Sequence, residues 1–392
     1  MSLGPFPIQL IPFTKNGKLQ FWNDITKEVI EADFSRPNVG ATSGSIVWRN
    51  NQLIELAENE PDWDDSDGCP VIKMRPQLSN LILVSTPTSL PPTGIINASY
   101  AANDWGIGFV GKIILDNTTG GSLWYPQEVS LLVAGNDYTA GVFFKPLDGN
   151  PPILGNTDQC YLNLGGTGAS PASYKVQNLG NGIYFGQGQA TNVLGGTNTG
   201  VLRWTASAAG QVEVYGFVVF DGLINLSPTD LMLSNGTAVT RSSNIFTLSD
   251  LVSKGFLGAT EGTVYLNMFG ESLARTAIAS ILTIGGTVGN RIIISNAGAT
   301  VTRPYLIIET PQGNSVHQLT DDNSKSIISY KAGNLIVVVN GVTVKNDPFS
   351  LDLTTSSTLI TYGTSRPINL KGLAFSPIAL TEAQAIAALN SL

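Results

Sequence analysis

Short apolar runs, each closed by a cluster of turn residues, constrain this chain more than any other feature of its sequence. Residues 330–348 read YKAGNLIVVVNGVTVKNDP, where Asn340-Gly341 separates two runs rich in β-branched residues. Both residues tolerate the positive φ of a tight primed turn, so this segment predicts a β-hairpin. The chain has 42 Gly and 21 Pro in 392 residues, and turns this frequent favour many short strands over long helices.

Similar runs recur from Ile95 to about Pro228 and again from Thr263 onward, with no helical periodicity between them. Several strands at this spacing are typical of antiparallel sandwiches or jelly rolls. Prolines interrupt the first hundred residues too often for long elements. We therefore predict an all-β chain in four parts: an irregular N-terminal block (1–95), a jelly roll (96–228), a connector (229–259) and a second antiparallel sandwich (260–392).

The C-terminal residues LTEAQAIAALNSL predict the one clear helix of the chain. Thr381 is a suitable N-terminal cap, and Leu380, Ile386 and Leu389 form an apolar stripe. A helix this short needs tertiary packing, so we expect it to dock on the last sandwich.

The charge balance argues against one class of partner. The net charge is −8, the isoelectric point is near 4.7 and no basic run occurs, whereas nucleic-acid binding depends on clustered Lys and Arg. No apolar run approaches membrane-spanning length. Residues 1–18 lack the basic start and uninterrupted apolar stretch of a signal peptide. We expect neither a nucleic-acid partner nor a membrane partner.

The segment from Phe34 to Leu83 carries an ordered set of short motifs. It resembles the N-terminal block of a broad group of bacteriophage tail or virion structural proteins. The matching residues, in order, are Arg36, Ala41-Thr42, Asn50-Asn51, Asn59-Glu60-Pro61 and Ser79-Asn80-Leu81. The chain departs from the family pattern at Asp62, where Arg is usual, and at Ser79, where Thr is usual.

Three further segments extend this resemblance to Leu392. Residues 88–108 and 135–145 resemble the carbohydrate-binding-module-like jelly roll that follows the block in this family. Residues 226–251 resemble the family's linking segment, with Asn244 in place of an Asp. Residues 261–392 resemble a concanavalin-like, laminin-G-type sandwich with a terminal helix, in which Asn340-Gly341 would form the inner hairpin.

The resemblance implies a virion fibre or spike protein that is made in the host cytoplasm and located in the virion. Its N-terminal block would bind other virion proteins, its sandwiches would bind host surface glycans, and it would assemble as a homo-oligomer, most simply a trimer. Apolar residues between prolines in this block, which cannot easily build a core of their own, would seek a partner surface: Phe6, Ile8, Leu10, Ile11 and Phe13. Two alternatives stay open: a purely structural head-fibre, decoration or tail component, and a secreted bacterial lectin or adhesin.

Sugar sites combine an aromatic face with amide or carboxylate groups in a shallow groove. The middle of the chain offers such residues: Trp105, Trp124, Tyr125, Asp104 and Asn117. The alternative for Trp105, and for Trp204, is a place in the core. Calcium is common in laminin-G-type sandwiches, but no clear ligand set stands out. The acidic stretch at 63–69 lacks the spacing of a calcium loop, so we expect no cofactor and no metal.

Catalysis has little support in the sequence. His317 is the only histidine, and no nucleophile can be assigned to a His-acid relay. Glycoside cleavage needs only two carboxylates at a suitable separation, and candidates occur across both predicted sandwiches: Asp104, Asp116, Glu128, Asp221, Glu261, Glu271 and Glu309. Sequence alone does not place two of them across one cleft, and we expect a non-enzymatic protein.

Overall fold

Thirty β-strands, paired only in the antiparallel sense, form the described part of the chain. The computed structural model describes residues 5–11, 18–35, 38–39, 46–49, 52–57, 59–65, 70–74, 78–89, 98–106, 108–116, 123–147, 160–161, 173–204, 210–224, 226–234, 236–241, 244–270, 279–296, 304–319, 324–353, 358–361 and 368–391. One α-helix, α1 (Glu382–Ser391), and one 3₁₀ turn (Pro228–Asp230) are the helical elements of these ranges. The all-β prediction with a short C-terminal helix is confirmed.

The strands follow one another along the whole chain. The first nine lie within residues 1–95: β1 (Ile8–Ile11), β2 (Leu19–Asn23), β3 (Glu28–Ser35), β4 (Asn38–Val39), β5 (Ile46–Arg49), β6 (Gln52–Glu55), β7 (Trp63–Asp64), β8 (Val71–Met74) and β9 (Leu78–Asn80). The next nine are β10 (Ala98–Ala102), β11 (Gly111–Asp116), β12 (Leu123–Leu132), β13 (Tyr138–Pro146), β14 (Cys160–Tyr161), β15 (Ser173–Gly180), β16 (Ile183–Ala190), β17 (Gly196–Trp204) and β18 (Gln211–Asp221).

The remaining strands are β19 (Val239–Arg241), β20 (Ile245–Leu248), β21 (Gly262–Gly270), β22 (Ala279–Thr287), β23 (Asn290–Asn296), β24 (Pro304–Thr310), β25 (Gly313–Gln318), β26 (Ser324–Lys331), β27 (Asn334–Val339), β28 (Val342–Asp347), β29 (Leu359–Thr361) and β30 (Ile368–Ser376). The predicted hairpin is β27–β28. Its turn residues Asn340 and Gly341 have φ angles of 49° and 83°, the positive values that a primed turn requires.

Strands from both ends of the chain build one sandwich, which we call the terminal sandwich. Its strand order is β25-β24-β23-β22-β29-β20-β3-β2-β1-β30-β21-β26-β27-β28, and β8 also pairs with β30. One edge of β30 is fully occupied by β21, whereas β1 and β8 share the other edge. The N-terminal strands are therefore central to this sheet rather than attached to its margin.

Strand β3 joins the two layers of the terminal sandwich. Its residues 28–32 pair with β2 in one layer, and residues 33–35 pair with β20 in the other. Ala32 and Phe34 both point into the core between the layers and are 2% and 7% exposed. Because the period of a strand is two residues, the chain changes layer without losing its inward face.

The expectation that the first apolar residues lack a core within the chain is wrong. Phe6 is fully buried in the cluster under helix α1, and Ile8 is fully buried in the core between the layers, against which Leu10 packs partly buried; Phe13 lies outside the described residues. Ile8 pairs with Phe375 and Phe6 contacts Tyr265, both more than 200 positions away in sequence. Pairing at this sequence separation leaves no local pattern, and for this reason the sequence predicted no core for the proline-rich segment.

Helix α1 packs where the sequence predicted. Thr381 and Gln384 cap it reciprocally: the Gln384 amide N–H donates to Thr381 Oγ1 at 3.3 Å, and Gln384 Oε1 accepts from Thr381 N at 2.9 Å. Ala385, Ala388 and Leu389 are buried against the outer face of the β26–β27 layer. The helix covers that half of the outer face.

A second sandwich, the middle sandwich, is formed by β10–β18. Its six-stranded sheet has the order β10-β11-β18-β13-β16-β15, and a three-stranded sheet has the order β12-β17-β14. The six-stranded sheet is apolar on both faces. Val142 and Val214 belong to one core, whereas Phe143 and Tyr215 belong to a second core on the opposite face.

Strand β11 pairs with only residues 211–214 of β18. Residues 78–86 hydrogen-bond to the rest of the same edge of β18. Further along, Leu81 N donates to Val219 O and Phe217 N donates to Ser85 O. Asn80 is fully buried; its Oδ1 accepts from Val219 N at 2.9 Å, and its Nδ2 donates to Met232 O at 2.7 Å. The Ser79-Asn80-Leu81 motif thus fixes the N-terminal block to the middle sandwich.

A buried polar seam ties the N-terminal block to the segment after the middle sandwich. Lys73 Nζ lies 3.2 Å from Asp64 Oδ2 and donates to Thr229 Oγ1 at 3.0 Å. Asn244 Nδ2 donates to Asp62 Oδ2 at 3.0 Å, and both residues are fully buried. Asp62 and Asn244, which lie 182 positions apart in sequence, are therefore in direct contact. The division at residues 95, 228 and 259 stays a prediction, but contacts cross each of these positions.

Phe21→Ala tests whether the first strands hold the terminal sandwich together. Phe21 is fully buried, and its ring contacts Phe256 and Phe375 at 5.5 and 6.0 Å. We expect the free energy of unfolding to fall by about 3–5 kcal/mol, measured by denaturant titration.

Trp22→Ala is the matched control, because the next residue of β2 points to the outer face and should cost no more than about 1 kcal/mol. Equal small losses for both variants would contradict the central role of β2.

Candidate functional site

The loop between β10 and β11 carries two of the residues that the sequence singled out, Asp104 and Trp105. Asn103 pins this loop: its Oδ1 accepts from Trp105 N at 2.9 Å, and its Nδ2 donates to the backbone oxygens of Trp105, Gly106 and Phe109. Satisfying four backbone groups with one amide fixes the loop before any ligand arrives.

Trp105 is half-buried at the surface of an aromatic cluster. Its ring stacks on Phe109 at 5.5 Å with 22° between the planes, and meets Tyr215 edge-on at 5.5 Å. Phe109 in turn rests on Gly216 of β18, where an added Cβ would lie 2.3 Å from the Phe109 ring. Gly216 is thus required for the close approach that seats Phe109 and, through it, Trp105.

A buried lysine lies under this cluster and binds two carboxylates. Lys112 Nζ is 2.7 Å from Asp104 Oδ2 and 2.6 Å from Glu213 Oε1. The Lys112 and Glu213 side chains are each 8% exposed, whereas that of Asp104 is 61% exposed. The Tyr215 hydroxyl donates to Glu213 Oε2 at 2.7 Å. A ligand arriving from solvent therefore meets the Asp104 carboxylate, while the ammonium lies beneath it.

The titration of this cluster follows from its contacts. The hydrogen bond from Lys112 holds the pKa of the Asp104 carboxyl below its ordinary value of 3.8. Burial lowers the pKa of Lys112, but hydrogen bonds to Asp104 and Glu213 outweigh it and the net shift is upward. Burial raises the pKa of the Tyr215 phenol, and its bond to Glu213 raises it further. At neutral pH the site presents an ionised carboxylate and a protonated phenol.

This arrangement is suited to holding a hydroxylated ligand and unsuited to glycoside cleavage. A half-buried indole offers an apolar surface to a sugar ring, and an exposed carboxylate accepts hydrogen bonds from its hydroxyls. Asp104 and Glu213 are the two carboxylates that lie together here, and one ammonium occupies the space between them. A glycosidic bond cannot take that place without separating the ion pairs.

Trp124, Tyr125 and Asn117 are the other residues that the sequence predicted for a sugar site. Trp124 and Tyr125 belong to β12 of the three-stranded sheet, whereas the Trp105 loop belongs to the six-stranded sheet. Their backbones pair in register with Arg203 and Leu202, and their side chains lie outside the described part of the structure. Asn117 lies outside the described residues. These three assignments stay predictions.

Sequence reasoning missed Lys112, Glu213, Tyr215 and Phe109. A signal was present: the strands GKIIL and QVEVYGF each place one charged residue among apolar neighbours, and a charge within a buried strand must be paired. The pattern did not reveal which charges would meet.

A shallow groove of about 280 Å³ opens further along the same face of the six-stranded sheet. Its lining residues are Lys175, Val176, Gln177, Phe185, Gln187, Leu226 and Ser227. The Phe185 ring lies 4.8 Å from Phe143, which in turn contacts Trp105 at 5.9 Å. A continuous aromatic row therefore connects the groove with the Trp105 loop.

Three further features bear on function. In the described ranges, no three His, Cys, Asp or Glu side chains cluster as a metal site requires. His317 Nε2 lies 2.6 Å from Ser315 Oγ, and Ser315 is 3% exposed. None of the helices within the described residues has the length and apolar character needed to cross a membrane.

No protein-family model matches the chain, and no curated protein matches it. Among solved structures, one described as showing that cell entry of botulinum neurotoxin type C depends on interaction with two ganglioside molecules is 11% identical, with a TM-score of 0.30. The binding domain of botulinum neurotoxin DC in complex with SialylT is 8% identical, with a TM-score of 0.29. Both similarities cover 38% of this chain and 40% of the toxin chain.

Domains LG4-5 of the mouse laminin alpha1 chain are 12% identical, with a TM-score of 0.24, over 76% of this chain and 96% of that one. In the two toxin structures, by contrast, the similarity to this chain spans only about 40% of their length. Similarities of this size carry no information about what this chain binds.

Lys112→Met tests the electrostatics of the site. Removing the ammonium leaves Glu213 buried without its counter-ion, so we expect the free energy of unfolding at pH 7 to fall by about 3–5 kcal/mol. Asp104→Asn keeps the buried pair and should cost less than about 1 kcal/mol, because Asp104 is solvent-exposed.

The pH dependence has a defined sign. The folded pKa of Asp104 is lowered, so the stability from its pair with Lys112 is present above pH 3.8 and is lost as the pH falls through the lowered value. Denaturant titrations at pH 7 and at acid pH, with NMR titration of Asp104, measure both effects. An unchanged Asp104 pKa in Lys112→Met would contradict the assignment.

Proposed function

We propose that this chain is a non-enzymatic virion fibre or spike protein of a bacteriophage, which binds host surface glycans through its sandwich domains. The observation that carries the glycan assignment is the exposed Asp104 carboxylate beside half-buried Trp105 on a loop pinned by Asn103. The buried Lys112 keeps that carboxylate ionised and oriented. Such a site holds a sugar without carrying out chemistry on it.

The virion assignment is supported by the ordered motifs between Phe34 and Leu392. Two of them have clear structural roles: Asn80 bonds the backbone of β18, and Asn244 bonds Asp62 in the polar seam. In the family pattern, Arg is usual at position 62 and Asp at position 244. In this chain the two positions hold Asp62 and Asn244, which are in contact. The two positions therefore face each other in this fold.

Attachment to the particle is assigned to the N-terminal block, residues 1–95. Residues 5–11 and 18–35 are built into the terminal sandwich, so the partner virion protein would bind a folded surface of this block and not a free tail. The proposed trimer rests on the resemblance to phage fibres, and several weak sugar sites acting together in one oligomer would raise avidity.

Particle location and self-assembly can be measured directly. We expect the chain to co-sediment with density-gradient-purified particles of the phage that encodes it, detected by mass spectrometry. We expect light scattering of the purified chain to give three times the 41.4 kDa chain mass. Absence from particles would contradict the virion role, and a 41.4 kDa species at micromolar concentration would contradict self-assembly in solution.

A glycan array separates the glycan-binding function from a purely structural one. We expect selective binding by the wild-type chain and a loss of about tenfold or more in Trp105→Ala, because stacking on the indole is removed. Trp105→Phe keeps an aromatic face and should retain part of the binding.

Circular dichroism of each variant checks that the aromatic cluster has not unfolded. Array silence of the wild-type chain would favour the structural head-fibre, decoration or tail alternative. Full binding by folded Trp105→Ala would remove this site from the function.

A further inference from the structure

The outer face of the β2–β3 hairpin exposes apolar side chains that the fold does not use. Trp22 and Val29 form a cross-strand pair, Trp22 is half-buried and Val29 is 47% exposed. Helix α1 covers the other half of this face, over β26, β27 and β28. Among the described residues, the main contacts of β2 are with the neighbouring strands β1 and β3 of its own sheet. The half-buried Trp22 and the exposed Val29 together form an apolar patch on this sheet face.

Polar groups lie at the turn end of this pair. Trp22 Nε1 donates to Asp24 Oδ1 at 3.3 Å, and Lys27 Nζ donates to the same oxygen at 2.8 Å. The Asp24 and Lys27 side chains are 47% and 67% exposed. Asn23 fixes the turn, since its Oδ1 accepts from the backbone N–H groups of Ile25 and Thr26. The indole and the carboxylate are therefore held together in one orientation.

A second polar group lies at the other end of the pair. Gln20 and Glu31 are the next pair in the same register, on the same face and about 7 Å along the strands. Gln20 Nε2 donates to Glu31 Oε1 at 3.3 Å, and Lys18 Nζ lies 2.6 Å from Glu31 Oε2. An apolar platform with hydrogen-bonding groups at both ends results, which we call the hairpin platform: Lys18, Gln20, Trp22, Asp24, Lys27, Val29 and Glu31.

The size of the platform decides between a protein partner and a small ligand. A stable protein interface buries about 800 Å² on each side, and its centre is depleted of charged residues. One Trp supplies at most about 250 Å², and charged side chains border the indole at both ends. The platform matches a single sugar ring stacked on Trp22, with hydroxyls reaching Asp24 at one side and Gln20 or Glu31 at the other.

The charge of the platform indicates which sugars. Lys18 and Lys27 are opposed by Asp24, Glu31 and the neighbouring Asp33, so the charges nearly balance with a slight excess of carboxylates. An acidic sugar would meet repulsion, and a neutral sugar meets donors and acceptors in similar number. This surface differs from the Trp105 site because it belongs to the terminal sandwich.

We infer that the hairpin platform is a second carbohydrate site, specific for neutral sugars and independent of the Trp105 site. Two sites on two sandwiches of one chain would let a single molecule engage two points of the same polysaccharide. Their joint affinity would then exceed either one alone if the polymer spans both.

Affinity electrophoresis with soluble polysaccharides tests the inference on the full chain. The probes are mannan, galactomannan and dextran as neutral polymers and polygalacturonate as an acidic one. We expect at least one neutral polymer to retard the wild-type chain, and Trp22→Ala to weaken that binding about tenfold. Trp22→Phe should keep most of it, and Thr26→Ala, an exposed substitution in the same turn, should keep all of it. Polygalacturonate should not bind through this site.

Comparing Trp22→Ala with Trp105→Ala separates binding at the hairpin platform from binding at the Trp105 site. Unchanged retardation of folded Trp22→Ala by every polymer that retards the wild-type chain would overturn it, and so would a wild-type chain that none of the neutral polymers retards. Retardation lost in Trp105→Ala but kept in Trp22→Ala would support the middle-sandwich site alone. Retardation lost in Trp22→Ala but kept in Trp105→Ala would support the hairpin platform and count against the Trp105 site.

Discussion

The pairing of the first strands with the last holds this molecule together. Strand β30 is bound by β21 on one edge and by β1 and β8 on the other, while β3 passes from one layer of the terminal sandwich to the other. The chain must therefore close a loop of more than 300 residues before this core is complete. Contacts of such high sequence separation are slow to form, and the stability of one end depends on the other.

The middle sandwich is held within that closed loop by polar contacts. Asn80, Leu81 and Ser85 hydrogen-bond the edge of β18 that β11 leaves open, and the seam of Asp62, Asp64, Lys73 and Asn244 is buried. Removing one partner from a buried pair costs far more than the pair itself contributes. These residues consequently specify which surfaces meet, and Asn244 and Asp62 share a buried hydrogen bond there.

The two candidate sugar sites use the same components in different settings. Each places a half-buried Trp beside an Asp that a Lys holds in position: Trp105, Asp104 and Lys112 in one, Trp22, Asp24 and Lys27 in the other. In the first, the lysine is buried and only the carboxylate is offered. In the second, both charges are exposed, which suits a ligand that needs donors and acceptors together.

The sequence by itself determined everything that depends on neighbouring residues. The positive φ at Asn340-Gly341, the cap at Thr381 and the rhythm of short strands all follow from local chemistry, and the proximity of Asp104 and Trp105 follows from their adjacency. Only the tertiary structure decided that Phe6 and Ile8 are core residues, that Lys112 joins Asp104 to Glu213, and that Trp22 remains at the surface while Phe21 is buried. Those outcomes depend on which strand lies alongside which, and a pairing between positions 8 and 375 has no expression in any local stretch of the chain.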